Sequence, residues 1–455
     1  MKIKSLLTNK IIKKSILSII FGIVIVGGYS ILNRNPDFVF DSSSGSITEY
    51  LGNKKDVVIP KRIGLTRVKH IGEHAFANNK NIEHINIPEG IISIETSAFN
   101  SCKNLEEINF PSSLNYFREY TFDNTSLKNI VVSAGNKYFS SIDGVLFNKD
   151  KTAIILYPNK REDKSYIVPN NTEIITKEAF SNSHNLEHIN IPETVNFIDS
   201  NAFYNCYNLK DIEIPRVEKI QQSTFEGCSS LKEISIPYGV QTICDQAFNG
   251  CKALIKITIP ESVTEIGRKA FEGCASLNSI IIPTSIKYIR EGAFNNCTSL
   301  SSFTIPKNIE SIDGNIFTMC KNLKNIIIQN NSKFIFKNGL LLRKNDKREI
   351  ELLTCLLSNS KISIPDDVKK IGNYAFSGVD NLKALSIPSS VEIIGEGAFA
   401  GCNNLYSVNL PNSIKTIEKC AFIFCDNITI YVNSLNVDKL VRDSGSRIQK
   451  NKIIM

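Results

Sequence analysis

The chain has 455 residues, 42% of them hydrophobic and 22% charged, and carries a formal net charge of +8. Five lysines, Lys2, Lys4, Lys10, Lys13 and Lys14, crowd the N-terminus, so the remainder is only mildly basic. No arginine-rich stripe interleaves with aromatic residues, which argues against a nucleic-acid partner.

Taken in chain order, residues 1–14 form a basic stub, and Ser15 to Leu32 is an uncharged run rich in Ile, Val, Leu and Gly. At ~1.5 Å per residue such a run reaches about 27 Å, close to the hydrocarbon core of a bilayer. The lysine excess ahead of it predicts a transmembrane signal anchor over 15–32, with the stub cytoplasmic and the bulk of the chain outside. A cleaved signal peptide is the alternative, but it has a shorter apolar region and a small-x-small site. Val26-Gly27-Gly28-Tyr29-Ser30 matches that site poorly. The first reading gives a single-pass plasma-membrane protein and the second a secreted one. Residues 33–66 follow as a linker and an N-terminal β cap; Asn33 to Gly45 is polar and short.

Beyond the cap, a phenylalanine recurs every 23 residues: Phe76, Phe99, Phe122, then Phe180, Phe203, Phe225, Phe248, Phe271, Phe294, Phe317, then Phe376, Phe399, Phe422, with a single 22-residue step at Phe225. A fixed period of this size marks stacked repeats, each unable to bury its apolar side alone. It therefore overrides the three or so domains that length alone would suggest. The copy from Val263 to Pro283 is V-T-E-I-G-R-K-A-F-E-G-C-A-S-L-N-S-I-I-I-P. Leu277, Ile280 and Ile282 end in the two-residue alternation of a strand, and Pro283 stops it. Val263 and Ile266, then Ala270, Phe271, Cys274 and Leu277, recur at three- or four-residue steps, which predicts a helical or 3₁₀ turn running back.

This pattern resembles the 23-residue BspA-like subclass of leucine-rich repeats, L-x-x-I-x-I-P followed by I-x-x-x-A-F-x-x-C, over roughly residues 67–432. Ile47-Thr48-Glu49-Tyr50-Leu51-Gly52 and Val57-Val58-Ile59-Pro60 look like that family's N-terminal cap. The resemblance implies an α/β repeat fold: a curved solenoid with a parallel β-sheet on its concave face, displayed on a cell surface for recognition or adhesion. At ~4.8 Å between strands, the stack is expected to be about 80 Å long.

Two breaks divide the repeats into block 1 (67–130), block 2 (170–326) and block 3 (366–432). Between them, 131–169 and 327–365 each carry an Asp-Gly or Asn-Gly pair between apolar runs, which predicts two β-hairpin spacer units. The tail, 433–455, leaves the repeat. A short helix near 435–443 is expected to cap the open end, followed by a basic stretch.

Little in the sequence suggests chemistry. Nine of twelve cysteines follow the repeat Phe by three residues, from Cys102 and Cys206 to Cys402 and Cys425, and so form one core column. Cys244, Cys355 and Cys420 fall outside it, and Cys420 is the candidate reactive thiol. His184 and His188 flank Leu186 at a strand entry, so their spacing carries no metal signal. No nucleophile elbow or phosphate loop occurs. We therefore expect no catalytic residue, no metal and no cofactor.

The outward strand positions are the candidate binding surface: His84/Asn86, Glu107/Asn109, His188/Asn190, Asp211/Glu213, Glu233/Ser235, Lys256/Thr258 and onward to Ser279/Ile281 and Asn325/Ile327. His188, Asp211, Glu213, Glu233 and Lys256 are the ligand-binding candidates. The acidic trio suits a basic or polyhydroxylated group. The expected function is recognition of an extracellular protein or polysaccharide. The alternative is a structural envelope spacer that associates with itself.

Overall fold

Each repeat is one coil of backbone whose hydrogen bonds run mostly to the neighbouring coils. The computed structural model describes residues 35–356, 362–449 and 452–455. The stub 1–14 and the anchor expected over 15–32 lie outside the described residues. Among those described, no helix is long and apolar enough to cross a membrane.

In one coil, Glu233–Ser235 is a front strand paired parallel with Lys256–Thr258, one repeat on. Pro237 follows, and its missing N–H ends the ladder. Thr242–Ile243 then forms a second short strand, parallel to Glu265–Ile266. Ala247, Phe248, Cys251 and Leu254 close the coil, all with no solvent exposure. The 22-residue repeat loses its residue in the proline turn, where Pro215-Arg216-Val217 stands in place of a Pro-x-x-Val sequence.

The expected helical return is replaced by this second strand and a row of turns. Its amides alternate in direction. Ala247 N donates to Cys244 O, Asn249 N to Gln246 O and Cys251 N to Phe248 O within the coil. Gln246 N, Phe248 N and Gly250 N donate instead to Arg268 O, Ala270 O and Glu272 O of the next coil, at 2.8, 2.8 and 2.7 Å. Left-handed backbone at Gln246 (φ 59°) and Gly250 (φ 72°) makes the alternation possible. A helix would keep every amide within its own segment. Here half of them join coil to coil. The result is a parallel-strand β-solenoid of leucine-rich-repeat coils, not an α/β repeat. The described residues hold one α-helix, Leu435–Asp443.

The chain divides after Arg161 into two units. In the first, the front ladder runs through Asp56–Val58, His84–Asn86, Glu107–Phe110 and Asn129–Val132, all parallel. The hairpin of Phe38–Asp41 and Ser46–Tyr50 caps the second ladder by pairing with His70–Ile71. An antiparallel meander, Phe139–Ile142, Val145–Asn148 and Ala153–Leu156, follows the last front strand. Asp143 and Gly144, at φ 47° and 78°, make its first turn.

In the second unit, Ser165–Ile167 pairs with His188–Asn190 and is a front strand, although it falls within the segment expected as a spacer. The ladder continues through Asp211–Ile212, and later through Ser302–Ile305 and Asn325–Ile328. A second meander, Phe334–Lys337, Leu340–Lys344 and Ile350–Cys355, turns at Asn338 and Gly339. It is let in on the strand side alone. On the turn side, Asn315 Nδ2 donates directly to Tyr374 O at 2.8 Å, bridging 59 residues of sequence.

At the C-terminal end, Ser434 caps the helix by accepting from Val437 N. Cys420 N and Phe422 N, which have no further repeat to bond, reach Ser444 O (2.7 Å) and Ser446 Oγ (3.0 Å). The strand Ile453–Ile454 then extends the front ladder beside Thr429–Val432.

Candidate recognition surface

Strand alternation decides which side chains meet solvent. In Glu233–Ser235, Ile234 faces the core at 4% exposure while Glu233 and Ser235 are exposed. The same pattern places His188, Asp211 and Lys256 outward on their own front strands, the first two preceding that of Glu233 and the third following it. Glu213 lies just past its strand and is exposed.

Four of the five candidate residues come together. His188, Asp211, Glu213 and Glu233 line one groove of about 770 Å³ with Ser165, Tyr166 and Ile167. His188 Nδ1 lies 2.8 Å from Asp211 Oδ2, which fixes the imidazole against the carboxylate. Lys256 stands opposite Glu233 on the adjacent strand, outside the groove lining. Beside the groove, Glu187 is bridged to Lys210 and, at 2.9 Å, to Lys164. Hydrogen bonds from these two ammonium groups hold its carboxyl down to about 2.

Sequence reasoning missed Tyr166 and Ile167, the latter 74% exposed. The ending Tyr166-Ile167-Val168-Pro169 echoes the repeat's I-x-I-P with Ile167 at the outward position, and was the available signal. Further along the same face, Ile281 is 84% exposed, an apolar residue at a position polar in most copies.

The other chemistry-bearing residues are built into the core. All nine column cysteines are buried and free. Each thiol in the central run donates to the Phe carbonyl of the preceding coil, as Cys251 Sγ does to Phe225 O at 3.2 Å. Burial pushes the Cys206 and Cys320 thiols up to about 12. Cys355, outside the column, is buried as well, while Cys244 and Cys420 are half-buried. His184 stacks on Tyr207 at 3.9 Å between ring centroids. Among the described residues, no group of three His, Cys, Asp or Glu is placed to hold a metal ion.

The BspA type leucine-rich repeat region matches residues 53–153, 156–253, 218–340 and 353–445. Among solved structures, the chain is similar to a leucine-rich repeat protein from Bacteroides ovatus, at 26% identity over 91% of this chain and 95% of that one, with a TM-score of 0.45. A leucine-rich cell surface protein from Faecalibacterium prausnitzii is 20% identical over 92% and 93%, with a TM-score of 0.40. The pneumococcal vaccine antigen PcpA is 18% identical over 90% and 91%, with a TM-score of 0.27. A comparison with curated proteins gave no match.

Proposed function

Because the chain belongs to the BspA-type leucine-rich repeat family, a fold used for protein recognition, we propose that it is a non-catalytic recognition protein working at the cell surface. The observation that carries this reading is the split of the front strands. Their inward residues are buried, whereas their outward residues are exposed and converge on a groove lined by His188, Asp211, Glu213 and Glu233. Such a surface can vary at little cost to the stack, because the core columns and the backbone hydrogen bonds between coils hold it together. The ligand is an extracellular protein or polysaccharide. The lysines and apolar run of residues 1–32 support export and anchoring through 15–32, or secretion after cleavage.

The test compares the full chain with a variant carrying Asp211→Lys, Glu213→Lys and Glu233→Lys. All three side chains are exposed, so the fold is expected to survive. Capture of protein or glycan from a cell-surface extract is expected to fall at least about tenfold, a loss of ~1.4 kcal/mol or more. Equal capture by both chains would remove this face from consideration. Self-association that persists in the variant would favour the structural spacer instead.

A further inference from the structure

Two stretches of the chain, 81–89 and 185–193, read N-I-E-H-I-N-I-P-E and N-L-E-H-I-N-I-P-E. They lie in different units, and of the five histidines only His84 and His188 fall on front strands. The surroundings share four features, although His188 is bonded to Asp211 at 2.8 Å whereas Glu107 accepts from Asn129 Nδ2 at 3.0 Å. Glu83 is bridged to Lys55 at 2.6 Å and Glu187 to Lys164 at 2.9 Å, each lysine just ahead of the preceding front strand. Each histidine and its asparagine, Asn86 or Asn190, face solvent. The next strand sets a carboxylate opposite each imidazole, Glu107 for His84 and Asp211 for His188. The preceding strand exposes a β-branched aliphatic residue, Val58 at 68% and Ile167 at 74%. Each constellation lines a groove of its own.

Core packing explains the repeated isoleucines and proline, since those are inward or turn positions in every copy. It does not explain why outward His, Asn, carboxylate and aliphatic residues recur together in two coils and in no other. Resting on the reading of the front strands as a recognition face, we propose that the chain carries two equivalent patches, one in each unit, each fitted to a peptide segment that sets a lysine or arginine beside an aliphatic side chain. The cation pairs with Glu107 or Asp211, the aliphatic group covers Val58 or Ile167, and the amide of Asn86 or Asn190 meets the peptide backbone. Charge complementarity selects a basic side chain over an acidic one. The exposed β-branched residue supplies apolar area that a ligand removes from water. The protein then binds two copies of the same chemical group.

The probe is a blocked leucyl-lysine dipeptide, titrated into the full chain with isotope-labelled histidine. The imidazole resonances of His84 and His188 are expected to move together, with dissociation constants within about threefold of each other. A blocked leucyl-glutamate leaves both still. Glu107→Gln removes the response at His84 and keeps that at His188, and Asp211→Asn does the reverse. Movement of only one histidine, or an equal response to the glutamate peptide, overturns the proposal. If neither moves while capture of a surface ligand still depends on Asp211, Glu213 and Glu233, the paired patches fall and the recognition reading stands. If both move while that capture is unchanged even when Glu107→Lys is added to the three charge reversals, so that both patches are altered, the recognition reading falls instead.

Discussion

A single side chain in this stack is shared property. Phe271 lies between Phe248 and Phe294, 5.4 Å from each ring centroid and nearly parallel to both. Identical residues at one register position therefore pack against themselves, which is why the Phe and Cys columns could be read from spacing alone. What the spacing did not reveal is the thiol's partner. Each buried S–H answers a Phe carbonyl of the coil before it, a contact across 25 or 26 residues in the central run. This has a consequence at high pH. A buried thiol held up to about 12, as at Cys206 and Cys320, stays protonated in the folded chain after the unfolded chain, at about 8.5, has lost its proton. The unfolded state then binds fewer protons, so the stability contributed by the neutral thiol is full below pH ~8.5 and is lost as pH rises toward 12. The melting temperature is expected to fall steeply between pH 9 and 11, and the fall should be shallower in Cys206→Ala, whatever that variant's stability at pH 7. An identical slope in both chains would mean that the thiol does not set it.

At the scale of the element, the proline-terminated front strand was legible and the return path was not. Val-x-x-Ile has the spacing of a helix, but in the structure Val240 leads into the short strand Thr242–Ile243. The choice is made by amides that bond to the next coil, and no local pattern encodes a partner 22 residues away. One trace was present: Gly or Asn stands before the column cysteine in copy after copy, as at Asn205, Gly227, Gly250, Gly273 and Asn296, all at positive φ. A Cβ at Gly273 would meet nothing closer than 3.6 Å, so the constraint there is conformational and not steric crowding. Gly273→Asn is therefore expected to cost less than ~1 kcal/mol, whereas Gly273→Val, which resists left-handed backbone, should cost ~1–2 kcal/mol or more in denaturant unfolding. Equal losses would show that volume governs the site. The candidate face was legible in part for the same reason. Register fixed His188, Asp211, Glu213 and Glu233, but Ile167 escaped because its strand, Ser165–Ile167, follows a meander that interrupts the period.

Over the whole molecule, stability is expected to be a sum of coil terms and nearest-neighbour terms. Phe271→Ala leaves a cavity between two neighbours and should cost ~3–5 kcal/mol. Amide exchange should accelerate in the coils of Phe248, Phe271 and Phe294 and remain unchanged in those of Phe399 and Phe422. Uniform acceleration throughout the second unit would point to one cooperative body. The turn-side bonds also have a direction: Gln246, Phe248 and Gly250 all donate toward the C-terminus, to Arg268, Ala270 and Glu272. A nascent chain leaves the ribosome from its N-terminus, so each coil must wait for the following one to emerge before these donors find acceptors. Closure thus trails synthesis by one repeat within each uninterrupted run, and by 59 residues where Asn315 reaches Tyr374, and the last coil is sealed only when Ser444 and Ser446 arrive.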